Sequence, residues 1–358
     1  MRAAVLEAPG RLVVREVPEP EPPPGWALVR SVAVGVCGTD KAFYRGSYPP
    51  PGGYPLVPGH EAAGVVAAAP PGYEHLVDRL VVPEINLVDP GDMWREPCRS
   101  GLYIHCPAPV KKTLGIDYPG ALAEYFAVPA WLLHPVEGLS PEEATAVEPL
   151  AAVLKAFALE PPRPGDRAAV VGSGFLASLA AQVLERVYGL EVTVFARRGS
   201  PKARLLGERL GLRVEPLEEA EELARREGRW GMGYDLVFEA TGSNEGLDTA
   251  VRIARPMGVV HVKSTPGGRG CWSQTLAVVK ELRLVASRCG TWREFEEAIR
   301  LIRSRLVEPL VTSVVWGLER APEAFERALR REELKVVVRV SRTPWEWRRL
   351  RLGEEGGA

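Results

Sequence analysis

Five side chains in the first half of the sequence have the chemistry of a metal-assisted site. Cys37 and Thr39 stand in Val36-Cys37-Gly38-Thr39-Asp40, His60 and Glu61 follow Pro58-Gly59, and Glu148 lies in Val147-Glu148-Pro149-Leu150. A thiolate, an imidazole and a carboxylate, with water in the fourth place, make a catalytic zinc site. Zinc there would act as a Lewis acid on an alcohol or carbonyl oxygen. Thr39, two residues from the thiol, has a hydroxyl that could carry a proton toward solvent. Taken singly, a Cys or His is more often a packed residue than a ligand. Their joint occurrence upstream of the next motif gives them weight.

That motif is Gly172-x-Gly174-x-x-Ala177, in the run AAVVGSGFLASLAAQVLERV. It follows an apolar strand pattern and opens a helical one, the context a dinucleotide fingerprint requires. The first Gly allows the tight turn, and the second lets a pyrophosphate approach the backbone. Ala177 in the third place keeps helix and strand close. The helix N-terminus would then face the phosphates. The bland reading is a tight strand–helix turn without a ligand. An NAD site also puts Asp or Glu on the ribose diol, ~20 residues on, at the end of the next strand. Here that position is Ala196, 24 residues on (196 − 172), and Arg197 and Arg198 follow at once. Losing the acid and gaining two guanidinium forks favours NADP(H) over NAD.

The elements that must position these residues fall into two textures. Up to about residue 135 the chain has short β-rich runs broken by Pro and Gly, such as Leu28–Val34, Gly64–Ala68 and Leu80–Val82. This pattern predicts a compact, partly open β-barrel. Ala144–Leu159 reads as a long helix interrupted at Pro149. Strand-length apolar runs then alternate with helical ones: Ala168–Val171, Val192–Ala196, Leu236–Ala240, Val259–Lys263 and Leu282–Ala286. That alternation marks a parallel α/β sheet. Leu334–Val340 reads as a further strand, and the charged tail from Ser341 is expected at the surface.

GVCGTD, VPGHEAAGVV, VEPLAAVLKAF, VVGSGFLA and FEATGS, in this order, resemble the zinc-dependent medium-chain dehydrogenase/reductase superfamily. The resemblance covers about residues 1–340 and looks strongest toward the archaeal glucose and polyol dehydrogenase branch. It implies an α/β fold with a GroES-like β-barrel catalytic domain built from both chain ends and an inserted Rossmann doubly wound parallel sheet. The expected division is 1–152 catalytic, 153–295 dinucleotide-binding, and 296–358 returning to the catalytic domain and tail.

The implied activity is reversible hydride transfer between an alcohol and NAD(P). The implied zinc ligands are Cys37 and His60, with Glu61 and Glu148 completing or exchanging in the shell, and Thr39 is the relay hydroxyl. Cofactor contacts are implied at Gly172, Ser173, Gly174, Phe175, Leu176, Arg197 and Arg198. Further contacts are implied at Ala240, Thr241, Gly242, Lys263, Ser264, Ser287, Arg288, Cys289 and Lys335.

The superfamily's structural zinc spacing, four Cys at C-x2-C-x2-C-x7-C, falls here on Asp92, Arg95, Cys98 and Cys106. A guanidinium cannot ligate zinc, so one catalytic zinc and no structural zinc are expected. Cys98 and Cys106 are then a disulfide or two buried thiols, with His105 beside them. Cys271 reads as a packing residue, and Cys289 as lining the cofactor site. Sugar-binding positions of the glucose branch fall on Thr113, Ala152 and Cys289, leaving only Asn86 as a candidate. Each unmatched sugar hydroxyl would cost ~1–3 kcal/mol. Glucose is therefore demoted, and the substrate stays open among alcohols, polyols, sugars and aldehydes. Phe43 and Trp131 read as core before pocket.

The whole chain sets bounds. With 358 residues, 45 basic against 46 acidic side chains and 46% apolar residues, it suits a soluble protein that binds neither nucleic acid nor an anionic membrane. No run is long enough to span a bilayer, and MRAAVLEAPGRLVV lacks a signal-peptide core, so a cytoplasmic location is expected. Two Asn, two Gln and 33 Pro hint at a thermophilic source, although the 37 Arg against 8 Lys could also reflect a GC-rich genome. The superfamily implies a homodimer or homotetramer. Two other readings stand beside the alcohol or polyol dehydrogenase: an aldose 1-dehydrogenase, and a nucleotide-binding protein without activity. The set Cys37, His60 and Glu148 argues against the last.

Overall fold

The computed structural model describes residues 1–107, 109–267 and 270–346. The chain forms two compact units: one from Met1–Glu148, Val311–Arg330 and the segment beginning at Lys335, the other from Pro149–Leu310 and Arg331–Leu334. The return to the first unit comes later than the expected residue 296. The amphipathic helix Trp292–Arg303 buries Phe295, Ala298, Ile299, Leu301 and Ile302, and it belongs to the second unit.

The first unit is built on a seven-stranded sheet. Its path runs Ser313–Trp316, Val336–Arg339, Trp26–Gly35, Glu61–Ala68, Leu80–Pro83 and Leu133–Pro135, and Tyr125–Pro129 also pairs with Trp26–Gly35. Both chain ends contribute, since Val337 pairs with Gly35 antiparallel. The Val/Ala-rich run WALVRSVAVG fits a strand buried along most of its length. Its last residue must be Gly, because a Cβ on Gly35 would collide with the carboxylate of Glu61, its partner in the ladder. The chain then turns into the helix Gly38–Arg45.

A separate hairpin, Arg2–Ala8 with Arg11–Glu16, and a short ladder, Asn86–Val88 with Lys111–Thr113, complete the strands here. Ser341 is held by Arg30 (Nη1 to Oγ, 2.9 Å), and Thr343 is fully buried. The start of the tail therefore packs, where a surface position was expected. The rest of the tail, beyond residue 346, lies outside the described residues.

The expected long helix divides earlier than Pro149, into Pro141–Ala144 and Val147–Leu159. Pro149 lies in the first turn of the second helix, where a missing N–H breaks no intrahelical bond.

The second unit holds a six-stranded sheet in the order Val214–Pro216, Glu191–Ala196, Arg167–Val171, Tyr234–Glu239, Ala254–Val262 and Arg283–Ala286. Every neighbouring pair is parallel. This is the doubly wound order whose reversal lies between the first and fourth strands in chain order, where dinucleotides bind. Its core gathers Val171, Phe195, Val237, Val260, Ile253 and Leu223. Lys280 closes the helix Asn244–Ile253, donating to the carbonyls of Arg252 (2.6 Å) and Ala254 (2.7 Å). No helix among the described residues is long and apolar enough to cross a membrane.

Candidate active site

The strand ends of the first unit bring the thiol and imidazole together. Cys37 is the residue before the helix Gly38–Arg45, and its N–H donates to Asp40 Oδ2 at 2.9 Å. His60 immediately precedes the strand Glu61–Ala68, whose first residue pairs with Gly35. His60 and Asp40 are buried, with Asp40 Oδ1 standing 3.8 Å from His60 Nδ1. Both of these atoms are buried without a hydrogen-bond partner.

Burial alone would lower the His60 pKa. The charges of Cys37 and Asp40, a hydrogen bond with Cys37 and the charge of Glu148 outweigh it and hold the imidazole well above its usual value. Burial raises the Asp40 carboxyl above its ordinary range, against the opposing charge of His60. Glu148 is buried in the first turn of Val147–Leu159. Thr39 is half-buried in the first turn of Gly38–Arg45.

The charges of a half-buried thiol and a buried carboxylate both act on the buried imidazole. Asp40 stands at the imidazole's Nδ1, the kind of carboxylate that orients a metal-ligating histidine. The chemistry fits catalytic zinc. Among the described residues no group of three or more Cys, His, Asp and Glu is closed around one point. Glu61, expected in the shell, has its carboxylate in a buried ion pair with Lys335, and its charge reaches Asp40. Lys335 was expected at the cofactor. Its ammonium is buried beside Glu61, 3.5 Å from the Val36 carbonyl oxygen.

In the second unit the fingerprint turn sits at the carboxyl end of Arg167–Val171. Gly172 has φ 126°, and a Cβ there would lie 2.6 Å from the Ala240 carbonyl oxygen. Gly174 caps the helix Phe175–Gln182, and a Cβ there would meet nothing within 4 Å. Phe175 and Ala177 are buried, while Ser173 and Leu176 are half-buried. Arg197 and Arg198 are exposed just past Ala196. Arg198 is bound to Glu219 at 2.6 Å, and the charge of Arg197 reaches Glu245.

At the neighbouring strand ends, Gly242 N donates to Ser264 Oγ (2.7 Å), and Lys263 Nζ donates to the carbonyls of Ser287 (3.0 Å) and Arg288 (2.8 Å). Ala240, Thr241, Gly242, Lys263, Ser264, Ser287 and Arg288 are therefore joined in one set of bonded loops. Cys289 is a half-buried free thiol.

Two residues escaped the sequence reading. Asp40 stands inside the GVCGTD motif, three residues after the thiol, and that spacing on a helix start was a usable signal. Glu239 is fully buried under the Thr241 and Ser264 loops. It stands within FEATGS, where its neighbours in sequence give no signal of the serine it meets.

Elsewhere, Cys98 and Cys106 are joined as a disulfide with Cα atoms 5.8 Å apart, and Asp92 accepts from Arg95 Nε at 2.6 Å. His105 is exposed. Cys271, expected to pack, is exposed just ahead of the helix Gln274–Val279. Asn86 and Thr113 are buried opposite one another. Phe43 packs edge-on to Tyr48 at 5.4 Å, and Trp131 edge-on to Tyr103 at 5.3 Å.

The alcohol dehydrogenase GroES-like domain family matches residues 23–138, and the zinc-binding dehydrogenase family matches residues 176–304. A glucose 1-dehydrogenase of Thermoproteus tenax is 33% identical over 95% of this chain and 99% of its own. Among solved structures, the alcohol dehydrogenase TADH of Thermus sp. ATN1 has a TM-score of 0.82 at 28% identity, covering 95% of this chain and 100% of that one. A zinc-binding dehydrogenase of Sinorhizobium meliloti 1021, bound to NADP, has a TM-score of 0.82 at 27% identity, covering 94% and 98%. The chain belongs to the zinc-type medium-chain dehydrogenase/reductase family. It is an alcohol dehydrogenase-type oxidoreductase that acts on CH–OH groups with NAD(P).

Proposed function

We propose that the protein transfers a hydride between an alcohol or polyol, or the matching carbonyl, and NADP(H), with one catalytic zinc per chain. The observation that carries the zinc assignment is the half-buried thiol Cys37 and the carboxylate Glu148, both in electrostatic reach of the buried His60 imidazole. Cys37, His60 and Glu148 would hold the metal. When bound, zinc supplies Lewis acidity at the substrate oxygen. NADP(H) supplies the hydride acceptor or donor.

The chain's own residues do the rest. Asp40 Oδ1, 3.8 Å from His60 Nδ1, sets a buried carboxylate beside the ring. The Thr39 hydroxyl, half-buried beside Cys37, moves the substrate's proton toward solvent. The Lys335 ammonium keeps the Glu61 carboxylate occupied, so Glu148 serves as the third donor. Gly172 and Gly174 leave room for the pyrophosphate at the head of Phe175–Gln182. Arg197 and Arg198, exposed just past Ala196, support recognition of a ribose 2′-phosphate.

An aldose oxidised at its first carbon is the second reading, favoured by the similarity to the Thermoproteus tenax enzyme. Thr113, Ala152 and Cys289 at the sugar-binding positions weigh against it.

Assembly into a homodimer or homotetramer is supported by the open sheet edge at Arg283–Ala286. Leu284 is exposed there, as are Val278 and Val279 on the preceding helix. Such an edge is a template for pairing with a second copy.

A panel of simple alcohols, polyols and aldoses, each with NADP and NAD, tests the reading. Faster turnover of alcohols or polyols with NADP is expected. Turnover confined to aldoses would transfer the assignment to the second reading.

A further inference from the structure

We propose that Glu219 is a specificity-determining residue: its carboxylate engages Arg198 and so opposes capture of the ribose 2′-phosphate that tells NADP from NAD. The inference rests on reading Arg197 and Arg198 as contacts for that phosphate.

The sheet brings the two side chains together. The strands Glu191–Ala196 and Val214–Pro216 are parallel neighbours, with Ala196 beside Pro216, so the chain leaves both at the same carboxyl edge. Arg197 and Arg198 follow Ala196, and the single turn Leu217–Glu219 follows Pro216. The arginines start from a fixed turn: Ser200 N donates to the Arg197 carbonyl at 3.1 Å, and Gly199 takes φ 70°. That turn is joined to the fingerprint. Gly172 N donates to the Phe195 carbonyl at 2.9 Å, and the hydroxyls of Ser173 and Ser200 lie 3.3 Å apart. In a doubly wound fold the end of the strand after the fingerprint serves the adenosine ribose, which carries the 2′-phosphate of NADP.

Arg198 Nη2 donates to Glu219 Oε1 at 2.6 Å. Among the described residues Glu219 makes no other side-chain hydrogen bond or ion pair. It stands just before the helix Ala220–Glu227 without capping it through its side chain. The carboxylate is thus committed to the guanidinium and not to the fold. A guanidinium takes a phosphate with a fork of two parallel donors. A phosphate that uses the edge held by Glu219 must displace the carboxylate. One that takes the other edge lies beside it, like charge against like charge. Either way Glu219 penalises NADP, whereas NAD brings no phosphate to this place. The side chains of the pair are 65% and 43% exposed, so water screens the pair and the penalty is a few-fold.

The test uses the full-length protein, with NADPH and NADH affinities read by nicotinamide fluorescence. Glu219→Gln keeps the shape and removes the charge. It is expected to tighten NADPH about threefold to fivefold. NADH should stay within about 1.5-fold, and Glu218→Gln, which removes the same charge one residue away, should hold both ligands within about 1.5-fold. In protein already carrying Arg198→Ala, adding Glu219→Gln should leave NADPH within about 1.5-fold, because the guanidinium it would release is gone. Unchanged or weaker NADPH binding in Glu219→Gln overturns the proposal. So does equal tightening of both dinucleotides, or the full gain persisting beside Arg198→Ala. Arg197→Ala separates the two levels of the argument. If it weakens NADPH alone and Glu219→Gln does not tighten it, the role of Glu219 fails and the phosphate site stands. If Arg197→Ala and Arg198→Ala both leave the ratio of NADPH to NADH affinity unchanged, the phosphate site fails and takes the proposal with it.

Discussion

At the scale of single residues, two arginines of the same type and neighbouring position have different surroundings. Arg198 is already bound to Glu219 at 2.6 Å, whereas no ion pair or side-chain hydrogen bond holds Arg197 among the described residues. A guanidinium already paired has less to offer a phosphate. Arg197→Ala is therefore expected to weaken NADP by about tenfold or more while leaving NAD nearly unchanged. Arg198→Ala should do so less. Cofactor KM values measured for both variants check this, and equal losses for NADP and NAD would contradict it.

The sequence made such residues legible where a motif fixed their type and spacing, as with Cys37, His60 and the Gly172–Ala177 turn. It could not reveal that Glu61 turns to Lys335, because the two are far apart in the chain and meet only through the strand pairing of the C-terminal segment. Nor could it reveal that the buried Glu239 accepts from a serine brought in by the adjacent strand.

At the scale of elements, the strands were readable and their ends less so. Leu28–Val34 becomes Trp26–Gly35, and Gly64–Ala68 extends back to Glu61. Apolar runs marked the buried middles of these strands, but their polar or glycine ends carry no hydrophobic signal. Those ends are where the site lies.

One buried polar group inside an element sets a pH dependence. His261 lies fully buried in Ala254–Val262, its ring 5.4 Å from Phe157 and 6.3 Å from Phe238. Burial pushes its pKa down to about 4, and both ring nitrogens are buried without a hydrogen-bond partner. The unfolded chain takes up that proton near pH 6.5, and the folded chain only near 4. The stability is therefore full above about pH 6.5 and is lost as the pH falls toward about 4, amounting to roughly 3 kcal/mol. His261→Phe should flatten this part of the acid limb in denaturant unfolding. An identical slope in the variant would refute the assignment.

At the scale of the whole molecule, composition and the change of texture near residue 144 were enough to separate a β-rich unit from a parallel α/β unit. The return point was harder to place, because the helix Trp292–Arg303 packs with the α/β unit although it follows the last strand of that sheet. The open edge at Arg283–Ala286 gives the assembly proposal its test. Leu284→Glu puts a charge on that edge and should shift the protein toward monomers in light scattering. Unaltered mass at all concentrations would remove the edge from the interface.

Zinc at Cys37, His60 and Glu148 is the centre of the proposed chemistry. Elemental analysis should find one zinc per chain, and removing it with a chelator should abolish NADP-dependent alcohol oxidation, which added zinc then restores. Full activity in protein shown to be free of metal would contradict the central claim.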